Sequence, residues 1–167
     1  GRESESMAVR LYREYRLKFY LNAKHYIIIN GHKGETHPHT WEFTLSIRYG
    51  RSSFVEFSTF EKGISDYMTR FQNQVMNEIP PFDAILPTLE NLTEYFANEF
   101  HRIIYETGGI LTQVEASETP TRSYILHIPE EENAPSSGGT APKKDALEDA
   151  IDAVLNTILG EGGGSST

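Results

Sequence analysis

The hydrophobic period of the chain changes once near residue 55 and changes back near residue 110, and no feature restricts the fold more. Upstream, Leu11, Tyr15, Leu17, Phe19 and Leu21 mostly alternate with Tyr12, Arg16, Lys18, Tyr20 and Asn22. That is the period of a half-buried strand, and it predicts one long or bent strand over residues 9–29. Asn30-Gly31 and Lys33-Gly34 are turn signals. Trp41, Phe43, Leu45 and Ile47 share one side of a second strand, His39 to Tyr49, closed by a turn at Gly50-Arg51-Ser52-Ser53. From Ser58 to Met76, Phe60, Ile64, Tyr67, Met68, Phe71 and Val75 recur at helical spacing, with Ser58 or Thr59 as the cap. Ile79-Pro80-Pro81-Phe82 ends that helix, because proline cannot continue the ladder. Thr88 opens a second helix with a stripe of Leu89, Leu92, Tyr95, Phe96, Phe100, Ile103 and Ile104, and Gly108-Gly109 stops it. Two strands follow, Ile110 to Ser117 and Arg122 to Ile128. This order predicts an α+β fold: a four-stranded antiparallel sheet with two antiparallel helices on one face.

A chain of 167 residues can bury the core such a layer needs. Its formal charge of -9 lacks the clustered Lys and Arg that a nucleic acid polymer demands. No apolar run approaches the roughly 20 residues that span a bilayer, so membrane insertion is not expected. The polar start, Gly1 to Ser6, has no signal-peptide character. With no cysteine there is no disulfide framework, thiolate metal site or cysteine nucleophile, which suits a cytoplasmic setting.

Residues 1–8 read as a disordered or tag-derived N-terminus, with Met7 a candidate start, and residues 9–128 as the folded domain. Residues 129–143, rich in Pro, Glu, Ser and Gly, read as a flexible linker. Over residues 144–160, Leu147, Ile151, Val154, Leu155 and Ile158 line one face of an amphipathic helix, with Asp145 and Glu148 as a capping-box-like pair. That helix either docks back on the domain or a sister subunit, or serves as a docking helix for another protein. Residues 161–167 form a flexible tail.

His37-Pro38-His39 begins the second strand. Residues i and i+2 of an extended chain point the same way, roughly 6.6 Å apart. Two imidazoles so placed can converge on one ion, and a hairpin brings His25 alongside them. Three neutral imidazoles with one open position are the pattern of catalytic zinc. The alternative is three exposed loop histidines.

Phe19-Tyr20-Leu21-Asn22-Ala23-Lys24-His25 followed by His37-Pro38-His39 resembles the zinc motif of the 6-pyruvoyltetrahydropterin synthases and 6-carboxytetrahydropterin synthases. Phe54-Val55-Glu56-Phe57 matches their hydrophobic-Asp-Phe segment, and Pro87-Thr88-Leu89-Glu90-Asn91 their P-T-x-E-N. Val114 to Thr121, reading V-E-A-S-E-T-P-T, matches their V-x-V-x-E-T-P-T. The matches run in order over about residues 10–128. The resemblance implies a T-fold, zinc on His25, His37 and His39, and a homotrimer or homohexamer. Pairing of strand edges into a barrel would account for the tyrosines and phenylalanines of the first two strands. It also implies that Glu118 anchors a pterin ring by accepting two hydrogen bonds from its 2-amino-4-oxopyrimidine edge. Thr88 and Thr119 are candidate ring contacts, and Thr88 equally a helix cap.

The family's catalytic groups are missing. The position of its cysteine, four residues before the first His of the H-x-H, is Lys33. Its Asp-His pair would fall near Asn77-Glu78. Lys33, Glu35, His32 and Glu78 are conceivable replacement acids or bases, or else loop surface. Three functions follow. One is a divergent zinc enzyme acting on or binding a pterin, with standard synthase activity lost. Another is a non-catalytic module for guanine nucleotides, linked to polysaccharide synthesis, in which Arg10, Arg13 and Arg16 meet the phosphates. The last is a purely structural oligomer.

Overall fold

The computed structural model describes Ala8, Val9, Leu11, residues 13–48 and residues 56–129. In chain order these form β1 (Glu14–His25), a small hairpin of β2 (Ile28–Ile29) and β3 (His32–Lys33), then β4 (His37–Arg48). Helix α1 (Phe57–Met68), a 3-10 turn (Met76–Glu78), helix α2 (Leu89–Glu106), β5 (Ile110–Thr119) and β6 (Arg122–His127) complete them. The main sheet runs β1-β4-β5-β6, and every neighbouring pair is antiparallel.

Alternation decides which face is covered. Leu21 of β1, Trp41, Phe43, Leu45 and Ile47 of β4, and Leu111 and Val114 of β5 are all fully buried. They meet Phe60 and Met68 of α1 and Leu92, Phe96, Phe100 and Ile104 of α2. Phe43 lies edge-on to both Phe96 and Phe100. Burying each large side chain contributes about 1.5–3 kcal/mol, so this layer dominates the stability. The opposite face is polar: Arg16, Lys18, Tyr20, Thr40, Glu42, Ser117 and Ser123 line an open cavity of about 460 Å³ there.

Several boundaries differ from the sequence reading. Among the described residues the first strand is Glu14–His25, not 9–29. The chain leaves the sheet at Tyr26, whose N–H donates to Asn77 Oδ1 and whose carbonyl accepts from Asn77 Nδ2, each at 3.0 Å. Ile28 and Ile29 then pair with β3 across Asn30 and Gly31, both at positive φ as a two-residue type I′ turn requires. The second strand begins at His37, as the His37-Pro38-His39 pairing requires, two residues before the start read from its apolar alternation. The N-cap position of α1 is Glu56, without a side-chain capping hydrogen bond, rather than Ser58 or Thr59, and the helix ends at Met68 instead of Met76. Beyond it the chain bonds to the outer edge of β1. Asn73 N–H donates to the Asn22 carbonyl at 2.6 Å, and Lys24 N–H to the Gln74 carbonyl at 2.8 Å. Phe71 and Met76 stay buried, which is why the helical apolar spacing outlasts the helix.

The caps of α2 are as expected. Thr88 accepts from Asn91 N–H. At the other end Gly109 N–H donates to the Ile104 carbonyl and Gly108 N–H to that of Tyr105, the Schellman pattern. Gly108 supplies the left-handed φ of +92°. The phenylalanines of the first two main-sheet strands face the helices: Phe19 of the edge strand β1 stacks on the buried Phe43 and meets Phe100 edge-on. The segment 1–7, Arg10, Tyr12, the turn and match at 49–55, and the linker, amphipathic helix and tail lie outside the described residues.

Candidate metal centre

The β1–β4 register sets His25 opposite His37 and Ala23 opposite His39. All three histidines therefore point to the helix-covered face, at the end of the sheet. Their rings gather with centroids 4.6–4.9 Å apart. One ring nitrogen from each lies within 4.8 Å of the others. The loop histidine alternative is set aside, since His25 is only 3% exposed.

Two backbone carbonyls fix the rings. His25 Nδ1 donates to the Pro87 carbonyl at 2.8 Å, and His37 Nδ1 to the Glu35 carbonyl at 2.9 Å. A carbonyl oxygen can only accept, so each Nδ1 carries the proton and each Nε2 presents a lone pair. Those two Nε2 atoms face each other at 3.0 Å. Two lone pairs repel at that distance, and a cation between them removes the repulsion. Outer hydrogen bonds of this kind are what orient metal-ligating imidazoles. Burial lowers the pKa of His25, against the opposing pull of the Pro87 bond and Glu118. Burial also lowers that of His39, again opposed by Glu118. Both effects favour the neutral ring that a metal needs. By donor set and orientation these residues fit a zinc-type ion.

Glu118 stands beside them. Its Oε1 accepts from Trp41 Nε1 at 3.1 Å and lies 3.5 Å from His25 Nε2. The ladder between β5 and β6 shifts register between Ser117 and Thr119, a bulge that frees Glu118 from strand pairing. Glu118 and Thr119 also line the cavity of the polar face. Thr88 caps α2 and follows Pro87, the residue that holds His25. Thr119 Oγ1 lies 3.4 Å from Thr121 Oγ1.

The conceivable acids and bases are less well placed. Lys33 Nζ sits over the Tyr26 ring at 4.2 Å. His32 and Glu78 are exposed, and Asn77 is committed to Tyr26 on both sides. Glu35 is exposed, but its carbonyl holds His37. Sequence reasoning missed Trp41 and Pro87 as parts of the site. Trp41 was within reach: two residues past His39 on a strand, it must share that face.

The model of one protein family, 6-pyruvoyl tetrahydropterin synthase, matches residues 14–128. The chain belongs to the 6-pyruvoyl tetrahydropterin synthase family. The sheet and two helices are accordingly the T-fold layer. The synthase from Caenorhabditis elegans superposes with a TM-score of 0.60 at 14% identity, over 74% of this chain and 100% of that one. The Plasmodium falciparum synthase gives 0.54 at 15% identity, over 70% and 98%. A Plasmodium vivax synthase carrying alanine for a glutamate described as a catalytic residue gives 0.54 at 13% identity, over 71% and 99%. No curated protein matches by sequence. Among the described residues, no helix of this 6-pyruvoyl tetrahydropterin synthase relative is long and apolar enough to cross a membrane.

Proposed function

We propose that this chain is a divergent family member that holds one zinc ion through His25, His37 and His39 and binds a pterin, with standard synthase turnover very slow. The carrying observation is the pair of carbonyl-fixed imidazoles whose lone pairs converge. Bound zinc would supply a Lewis acid for a ligand oxygen. Pro87 and Glu35 hold the rings in the tautomer that accepts the ion. Glu118 anchors the 2-amino-4-oxopyrimidine edge. Each carboxylate oxygen has two lone pairs, so Oε1 can keep Trp41 while it accepts from the ring. Thr119 lines the same cavity and is the nearer of the two threonines to a ligand role.

Slow turnover follows from what is missing. There is no cysteine, and Asn77 stands near the position of the family's Asp-His pair, spent on holding Tyr26. The Plasmodium vivax relative shows that a glutamate can be a catalytic residue in such a protein. Glu35 is the candidate here, since its own backbone borders the metal centre.

A guanine nucleotide is the second reading, because Arg16 lines the same cavity as Glu118. Guanine shows Glu118 the same edge as pterin, and a guanidinium suits phosphate. Metal analysis of freshly purified protein and calorimetry with neopterin, sepiapterin and guanine nucleotides test both. About one zinc per chain with pterin binding is expected. Glu118→Gln should weaken that binding about tenfold to a hundredfold, the loss of a charge-assisted pair of roughly 1.5–3 kcal/mol. A phosphate-dependent preference for guanine nucleotides, lost in Arg16→Ala, would establish the second reading instead. No binding at millimolar concentration would leave a structural oligomer.

A further inference from the structure

The geometry points to Glu118 as the fourth protein ligand of the metal centre when no pterin is bound, with Trp41 as the residue that positions it. This rests on the three-histidine site proposed above and goes beyond it: the coordination position taken to be open is closed by the protein itself.

Distances carry the argument. A tetrahedral ion with bonds of roughly 2.0–2.2 Å spaces its ligand atoms roughly 3.3–3.6 Å apart. Glu118 Oε1 lies 3.5 Å from His25 Nε2 and 3.9 Å from His39 Nε2. His25 Nε2 and His37 Nε2 are 3.0 Å apart. Three edges thus lie near those of one coordination tetrahedron, with Oε1 on its His25 and His39 side and farther from His37.

The chemistry of the contacts agrees. His25 donates its Nδ1 proton to the Pro87 carbonyl, so its Nε2 meets Glu118 as lone pair against carboxylate oxygen. His25 Nε2 also faces His37 Nε2 at 3.0 Å, so it meets two acceptor atoms, the His37 nitrogen and the Glu118 oxygen, with no proton between it and either. A shared cation satisfies all three. The indole N–H of Trp41 uses one lone pair of Oε1 and leaves the other for the ion. Trp41 is fully buried among core side chains, so its N–H is a rigid post. The bulge at Glu118 turns the side chain toward the histidines.

A consequence is competition. A pterin that takes both Glu118 oxygens draws the carboxylate off the metal as it binds. Ligand binding and opening of the coordination position then become one event, and each weakens the grip of Glu118 on the other partner.

The test is titration of the chelator-treated full chain with Zn²⁺ and Co²⁺. Trp41, the single tryptophan, reports binding by fluorescence. Wild type is expected to bind both ions, and Glu118→Gln to bind Zn²⁺ at least about tenfold more weakly. Trp41→Phe, read by a competing chromogenic chelator, should lose affinity several-fold. The cobalt spectrum separates a ligand from a nearby charge. Imidazole, a neutral ligand, should change the Glu118→Gln spectrum at concentrations that leave wild type unchanged. Equal Zn²⁺ affinity and equal imidazole response in the two proteins would overturn the assignment of Glu118. No metal binding by folded wild type would instead overturn the three-histidine site on which it rests.

Discussion

At the scale of single residues, the tautomers of His25 and His37 decide what the site can do. Each ring spends its only proton on a backbone carbonyl, so the pair is built to accept a cation. The same burial makes the metal-free chain acid-sensitive. Folding lowers the pKa of His25 and His39 below the ordinary value of 6.5. The unfolded rings therefore take up protons first as pH falls. Their contribution to stability is fully present above pH 6.5 and is lost as pH drops through the lowered folded values. Urea midpoints of chelator-treated protein should fall between about pH 7.5 and 5.5, and His39→Gln should flatten the decline. A wild-type midpoint independent of pH over that range would show that the rings are not held neutral.

The elements are fixed at their ends, and two end residues give separate tests. A Cβ on Gly109 would stand 2.8 Å from Phe60 Cζ and 2.9 Å from Ile104 Cγ2, inside the core where α2 turns into β5. Gly109→Ala should cost about 1–3 kcal/mol by overpacking, measured by denaturant unfolding. A neutral change would mean that Phe60 moves freely in its pocket. Thr88→Ala removes the cap of α2 and should cost about 1 kcal/mol. If Thr88 is only a cap, pterin affinity stays put in that variant. A matching loss of affinity with little loss of stability would make it a ring contact.

At the scale of the whole molecule, the sheet has edges to satisfy. Residues 72–75 cover β1 near Asn22 and Lys24, but among the described residues the Glu14 end of β1 and the outer side of β6 pair with no further strand. Tyr20 on β1 and Ile125 on β6 are about half exposed. Unpaired edges invite aggregation unless another chain closes them. A homotrimer or homohexamer is the expected outcome, checked by light scattering. A monomer at micromolar concentration would show that the edges are tolerated as they stand.

The sequence by itself determined the α+β order, because the period of burial, two in strands and about 3.6 in helices, is set by backbone geometry alone. It placed both caps of α2 and the convergence of His37 and His39, since caps and i, i+2 pairs are local. It misjudged where α1 ends, because Phe71 and Met76 stay apolar while Asn73 and Gln74 leave to bond with β1. Only the tertiary structure joined Pro87 to His25, Asn77 to Tyr26 and Trp41 to Glu118, contacts separated by 62, 51 and 77 residues. Hydrogen bonds across such distances depend on how strands register and loops return, and no local period encodes that.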